Sequence, residues 1–260
     1  MTARILFAAA IGLMATLGTV PAVADALDDI IARKTIRVAV PTDYPPFGSV
    51  GADMQPRGMD IDVANLIGEK LGVKVELVPV TAPNRVAYLQ SGKTDLTISS
   101  LGKTEERAKV IDFSIAYSPF FDAVFGKKEP PVKDYADLSG KTISVTRGSM
   151  QDQELEDLAP KAVVKRFEDN NSTIAAFMSG QVEMFASGTP VAAAIKRRNP
   201  DLDLELKIVL ANAPCYVGVV KGEQRLLDKV NAIIREAKTN GEIDRLSVKW
   251  LGAPAGELPE

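Results

Sequence analysis

The sequence predicts an α/β fold built on largely parallel sheets. Two observations carry this. Apolar residues recur with period 2 in short segments and with period 3.6 in the segments between them, the signature of alternating strands and helices. This succession also runs twice, on either side of a charged, proline-rich stretch, Gly126-Lys127-Lys128-Glu129-Pro130-Pro131. Strand, helix, strand connections of this kind give parallel pairing and place ligand sites at the carboxyl ends of the strands.

The N-terminus reads as a targeting segment. Arg4 supplies a short positive region, Ile5 to Val20 is an apolar run, and Ala22-Val23-Ala24 is a small-residue cleavage site. Cleavage after Ala24 sends the chain to the periplasm, and no cysteine lies there to carry a lipid anchor. No later apolar run is long enough to cross a bilayer.

Beyond it, Ile36, Val38 and Val40 alternate with Arg37 and Ala39 as a strand. Ile61, Ala64, Ile67 and Leu71 follow helical spacing up to Gly72. Val73, Val75 and Leu77 form the next strand, and Val86 to Gln90 a short helix stopping near Gly92. Leu96 and Ile98 lead into Ser99-Ser100-Leu101-Gly102. After the charged stretch, Lys141 to Val145 reads as a strand, and helices are predicted over Ser172–Gly180 and Val191–Arg198. Two last helices carry Leu226, Val230, Ile233, Ile234 and Ala237, then Ile243, Leu246 and Trp250, as core-facing stripes separated by Gly241.

Composition excludes several function classes. The formal charge is −3, and removing residues 1–24 takes away Arg4 and no acid, a balance unsuited to nucleic acid. Cys215 is the single cysteine, so no intrachain disulfide forms, and it reads as a small buried residue. There is no histidine, which removes the commonest metal ligand and general base, and with it a Ser-His-Asp triad. No metal or other cofactor is implied.

The segment with most chemical content is 99–114. Thr104 can cap a helical turn with its side-chain oxygen. The third residue after such a cap favours Glu or Gln, but here it is Arg107. A cation at the positive end of a helix dipole needs an anion nearby. Two readings stay open on residue chemistry alone: an ion pair with Glu105, Glu106 or Asp112, or a carboxylate receptor made of N–H groups, serine hydroxyls and a two-pronged guanidinium.

The same stretch, with Ser99, Ser100, Thr104, Glu106, Arg107, Ile111, Asp112, Phe113 and Ser114, resembles the signature of bacterial extracellular solute-binding proteins of the polar amino acid type, the receptors of ABC importers. The resemblance covers essentially the whole chain after residue 24. It implies a two-lobed periplasmic-binding-protein fold of type II, each lobe a mainly parallel sheet flanked by helices, joined by a two-strand hinge. Lobe 1 would span 25–126 and 219–260 and lobe 2 127–218, with crossing strands near Ala123–Lys127 and Tyr216–Val220. The implied partners are a small-molecule ligand bearing a carboxylate and a membrane permease driven by an ATPase. The receptor would act as a monomer.

Carried over by motif, the resemblance makes Arg107 the anchor of the ligand α-carboxylate, with Ser99, Ser100 and Gly102 beside it. Tyr44, in the proline-fixed loop Thr42 to Phe47, would stack on the ligand, while Phe47 reads as core. Thr81-Ala82-Pro83-Asn84-Arg85 matches the glutamate/aspartate-type branch, where Arg85 would reach an acidic side chain and Ala82 would line the same rim; the alternative for Arg85 is a solvated surface role. Asp60 reads as a structural helix cap. In lobe 2, Gly148, Ser149 and Met150 open a helix as a donor-rich turn, with Met150 replacing the usual hydroxyl, and Arg147 is either a further contact or surface.

Two departures stand out. Relatives of this type carry an aspartate for the ligand ammonium where Gly188 stands, next to Thr189, and many carry Ser or Thr in place of Gly102. Either Asp43 or Glu183 substitutes, or the ligand lacks an ordinary α-ammonium, as in a plain carboxylate or an opine-like conjugate. Cyclohexadienyl dehydratases also resemble these receptors, and Glu183 or Asp43 would then be the proton donor. The expectation is a binding protein and not an enzyme.

Overall fold

The computed structural model describes residues 25–260; residues 1–24, where the sequence predicts a targeting segment and a cleavage site, lie outside the described residues. The chain opens with helix α1 (Ala26–Arg33), capped by the Asp25 carboxylate on the Leu27 N–H, and enters β1 (Thr35–Val40). A small three-stranded antiparallel sheet follows, β2 (Asp43–Tyr44), β3 (Gly48–Val50) and β4 (Pro56–Arg57). Then come α2 (Met59–Leu71), β5 (Lys74–Pro79), a 3-10 turn Ala82–Asn84, α3 (Arg85–Gln90), β6 (Leu96–Leu101), α4 (Glu105–Val110) and β7 (Ile111–Ser118).

The second half begins with β8 (Phe121–Gly126), β9 (Thr142–Thr146) and α5 (Met150–Leu158), followed by β10 (Val163–Phe167), α6 (Asn170–Met178), β11 (Met184–Gly188), α7 (Thr189–Arg198) and β12 (Glu205–Asn212). β13 (Cys215–Val220), α8 (Gln224–Thr239) and α9 (Glu242–Leu251) complete the chain.

Two five-stranded sheets result, ordered β5-β1-β6-β13-β7 and β10-β9-β11-β8-β12. In each, one strand runs against the other four: β13 in the first, β8 in the second. Those two antiparallel strands belong to the segments that pass between the lobes, which is why a mainly parallel sheet is interrupted once per lobe. The strands place the crossings at 119–120 and 213–214, a few residues earlier than the composition change at Gly126 suggests. β8 lies wholly in the second sheet and β13 wholly in the first.

Each lobe has its own core. Ile36, Val38 and Val40 of β1, Ile61 and Ile67 of α2 and the α8 stripe Leu226, Val230, Ile233, Ile234 and Ala237 are all buried in one cluster. Its helices are held by the apolar surface they remove from water, worth about 1.5–3 kcal/mol per fully buried Leu, Ile or Val. The second lobe packs Val124, Ile143, Val145, Leu155 and Met184 on one face of its sheet and Phe125, Phe177 and Phe185 on the other. Cys215 is free and buried. No helix among the described residues is long and apolar enough to cross a membrane.

Three groups of strands have no clear counterpart in the sequence pattern. β2 to β4 are too short for a period to develop. β10 is only half-buried, so its alternation is weak. β12 carries bulges between Leu206 and Ile208 and between Val209 and Ala211, each of which shifts the side-chain alternation by a residue.

Candidate functional site

The site lies between the lobes, at the carboxyl ends of β1, β6 and β9, as parallel-strand topology directs. Its lobe 1 wall is the turn leaving β6. Ser100 adopts φ +41°, a left-handed conformation that costs a non-glycine residue about 1–3 kcal/mol. Two buried ionisable side chains hold it there. Asp60, in the first turn of α2, accepts the Ser100 backbone N–H at 2.8 Å and the Tyr117 hydroxyl at 2.6 Å. Arg85 grips the same turn from the carbonyl side, donating from Nη1 to Ser99 O at 2.9 Å and Ser100 O at 3.4 Å, and from Nε to Ala82 O at 3.1 Å. Burial pushes the Asp60 carboxyl up to about 7, against the lowering effect of its two donors, and burial also pulls the Arg85 guanidinium down.

Asp60 is therefore not the cap of α2; Gly58 occupies that place, and the carboxylate braces the binding turn instead. Arg85 is buried, not a solvated surface residue.

Thr104 caps α4 as its sequence indicates, accepting the Arg107 N–H at 3.2 Å. The Arg107 side chain donates to Gly102 O at 2.8 Å and reaches across the cleft to Gly148 O at 2.9 Å. Burial first, then repulsion from Arg85, push its guanidinium down to about 9, so it remains charged at neutral pH at an energetic cost. Neither Arg85 nor Arg107 forms an ion pair among the described residues. Asp112 is taken by Lys221 at 2.7 Å.

Tyr44 joins the two lobes. Its ring lies between Phe47 and Phe120, with centroids 6.1 and 6.4 Å away. Its hydroxyl is 3.0 Å from Ser187 Oγ and accepts the Gly188 N–H at 3.2 Å. Asp43 closes the other edge, accepting both the backbone and side-chain N–H groups of Asn170 at the start of α6. The lobes are thus drawn together, leaving a cavity of about 40 Å³ between them.

Of the residues singled out in the sequence, Tyr44, Ala82, Arg85, Ser99, Ser100, Gly102, Arg107, Ser149 and Met150 line this cavity. Ser149 also caps α5, accepting the Asp152 N–H. Gly148 contributes its carbonyl to Arg107 from outside the wall. Gly188 and Thr189, at the end of β11 and the start of α7, stand behind the wall. Phe47 is fully buried core, and Arg147 pairs with Glu168 on the exposed surface.

The two glycine departures have a steric cause. A Cβ at Gly188 would overlap the Phe120 ring, and one at Gly102 would overlap the Met150 sulfur. Phe120 and Met150 fill the space that larger side chains would need. Neither Asp43 nor Glu183 lines the cavity: Asp43 is committed to Asn170, and Glu183 is exposed, held below the usual carboxylate range by the Thr142 N–H and by Lys141.

The acid that does line the cavity is Asp122. It opens β8 and sits opposite Gly188 in the β11–β8 register. It is 1 % exposed, and Gln151 Nε2 donates to its Oδ1. A lone acid inside the apolar run Phe120-Phe121-Asp122-Ala123-Val124-Phe125 is the signal in the sequence that marks it. Gln151 and Glu154, one turn apart on α5, stand beside it.

Two lobes, each a twisted sheet flanked by helices, crossed twice by the chain and closed over a cleft with an unpaired arginine, define a type II periplasmic-binding-protein receptor. Comparison with known proteins places the chain within that class. The profile of the bacterial extracellular solute-binding proteins, family 3, matches residues 36–253, and the chain belongs to this family. It is 28% identical over 232 residues to the ABC transporter glutamine-binding protein of Bacillus subtilis, covering 87% of this chain and 85% of the relative. Among solved structures it resembles a solute receptor for L-cysteine of Neisseria gonorrhoeae, with 31% identity, a TM-score of 0.82, and 90% and 99% of the two chains covered. It also resembles an ancestral amino acid-binding protein that is a precursor of cyclohexadienyl dehydratase, with 32% identity, a TM-score of 0.80, and coverage of 88% and 100%. The family is one of amino-acid-binding ABC transporter receptors.

Proposed function

We propose that this protein is the periplasmic receptor of an ABC importer for a polar α-amino acid, exported by residues 1–24 and acting as a monomer with a permease and its ATPase. The observation that supports this most is the pair of guanidinium groups, Arg85 buried and Arg107 half-buried, that face the cleft. Arg85 and Arg107 share one small cavity, and neither has an acidic partner among the described residues. Their repulsion is relieved when an anion enters, and the two-pronged Arg107 beside the Ser100–Gly102 backbone suits a carboxylate. Binding would bridge the lobes and hold them closed, the form a permease recognises.

An enzyme on this scaffold is less well supported. Glu183 lies away from the cleft and Asp43 is engaged by Asn170 at the start of α6, so neither is placed as a proton donor. Turnover of prephenate or arogenate would overturn the receptor reading.

Thermal-shift screening of the purified protein against amino acids, dicarboxylates and opine-like conjugates tests the proposal. A ligand at 100 times its Kd is expected to stabilise the native state by about 2.7 kcal/mol. Arg107→Ala is expected to abolish the shift for every carboxylate ligand. Retained binding in that variant would remove Arg107 from the anchor role.

A further inference from the structure

We infer that Asp122 and Glu154 form a proton-holding carboxylate pair that exchanges its proton for a cationic nitrogen of the ligand. This rests on the reading of the cleft as an amino acid site and assigns its second pole.

The geometry requires something positive at this point. Asp122 Oδ2 and Glu154 Oε2 are both buried without a hydrogen-bond partner among the described residues, and the two carboxyls lie within hydrogen-bond reach of each other. Two ionised carboxylates are acceptors only, so a proton or a cation must stand between them. Among the described residues no cation donates to either carboxyl: the hydrogen bonds of Arg85 and Arg107 go to backbone carbonyls, and the one side-chain donor to Asp122 is the neutral Gln151 amide.

Among the groups that face the pair, Arg85 comes from α3, Arg107 from α4, Tyr44 from β2 and Cys215 from β13. Tyr44 and Cys215 are neutral near pH 7, since burial raises both. Burial, with the partner acid, raises Asp122 well above the carboxylate range, and burial raises Glu154 to about 7. The pair therefore keeps at least one proton through mildly acidic and neutral pH.

Asp122 also points where a cation would arrive. Directly opposed residues of an antiparallel pair project to the same side, so Asp122 shares the face of Gly188, whose own side-chain space is filled by Phe120. A ligand held by its carboxylate at Arg107 brings an ammonium into this same small cavity. The proton leaves to solvent as the ammonium takes its place, so affinity rises with pH while the pair is protonated.

The test is isothermal titration of the purified protein with L-glutamine, L-glutamate, L-arginine and L-cysteine, each beside the acid in which hydrogen replaces the α-ammonium. Titrations run from pH 5 to 7.5 in buffers of different ionisation enthalpy. For the amino acid that binds, release of one or more protons is expected at pH 6, with Kd tightening by about tenfold per pH unit for each proton released. Asp122→Asn, which keeps the acceptor for Gln151, is expected to weaken the amino acid by about 100-fold or more and to leave the deaminated acid within about threefold.

Glu154→Gln is expected to flatten the pH profile, and carries the test if the Asp122 variant does not fold. Unchanged affinity and pH profile in both variants would overturn the inference alone, as would equal loss of the amino acid and its deaminated counterpart. Wild-type binding of plain carboxylates only, with no amino acid bound, would overturn both this inference and the amino acid reading.

Discussion

The two walls of the cleft are held in opposite ways. On the lobe 1 wall the ionisable side chains are engaged by backbone groups: Asp60 takes the Ser100 N–H, Arg85 takes three carbonyls, and Arg107 takes two more. On the lobe 2 wall Asp122, with Glu154 next to it outside the cavity lining, keeps a buried oxygen that no donor of another residue reaches among the described residues. The first wall is a braced turn whose strain at Ser100 is balanced by hydrogen bonds from two directions. The second is an acid patch that holds a proton until an incoming cation displaces it. A receptor that must bind and release gains from this division, because one rigid wall fixes the ligand's orientation at little entropic cost while the other supplies the energy of closure.

If the braced wall works as described, its largest signature is in the dependence of stability on pH. The Asp60 carboxyl sits at about 7 in the folded protein against 3.8 in the open chain. Between those values the folded form keeps a proton that the unfolded form has lost. Stability from this group is therefore greatest at low pH and falls as pH rises through the window, by about 1.4 kcal/mol per unit and about 4 kcal/mol in all. Chemical denaturation from pH 4 to 8 is expected to show a shallower decline in Asp60→Asn than in the wild type. Parallel curves would mean that Asp60 is ionised and fully compensated by its donors.

Arg85→Ala tests the other side of the brace. Removing the guanidinium strands the carbonyls of Ala82, Ser99 and Ser100, so a loss of about 3 kcal/mol is expected in urea denaturation. If Arg85 only braces the turn, neutral and acidic amino acids lose affinity equally. A larger loss for acidic ligands would give it a direct contact to a second carboxylate and make the lobe 1 wall less self-contained than its hydrogen bonds suggest.

The walls also differ in how much of them was legible beforehand. Thr104, Arg107 and the Ser99–Gly102 turn lie within nine residues, so local rules of capping and charge were enough to find them. The α/β succession was legible for the same reason, since helical and strand periods are local properties. The role of Asp60 was not: its partners Ser100 and Tyr117 lie 40 and 57 residues away, and next to Gly58 its local context resembles a cap. Asp122 meets Gly188 only through the register of β8 with β11, and Glu154 reaches Asp122 from α5, 32 residues further along the chain. Contacts that depend on strand register have no local sequence signal beyond an acid in an apolar run.

The contact that spans both walls gives the last and smallest test. Gly102 on lobe 1 leaves room for the Met150 thioether on lobe 2, and a Cβ there would overlap the sulfur. Met is flexible, so Gly102→Ser is expected to cost closure only about 1–2 kcal/mol, read as an approximately tenfold rise in Kd for the bound amino acid with little change in the stability of the ligand-free protein. Met150→Ala vacates the same space, and in the double variant the serine hydroxyl can occupy it. The double-mutant cycle is therefore expected to be strongly non-additive, with Met150→Ala recovering most of the affinity that Gly102→Ser loses. Additive losses would show that the two residues do not compete for the same volume in the closed cleft, and that the glycine is required for its backbone alone.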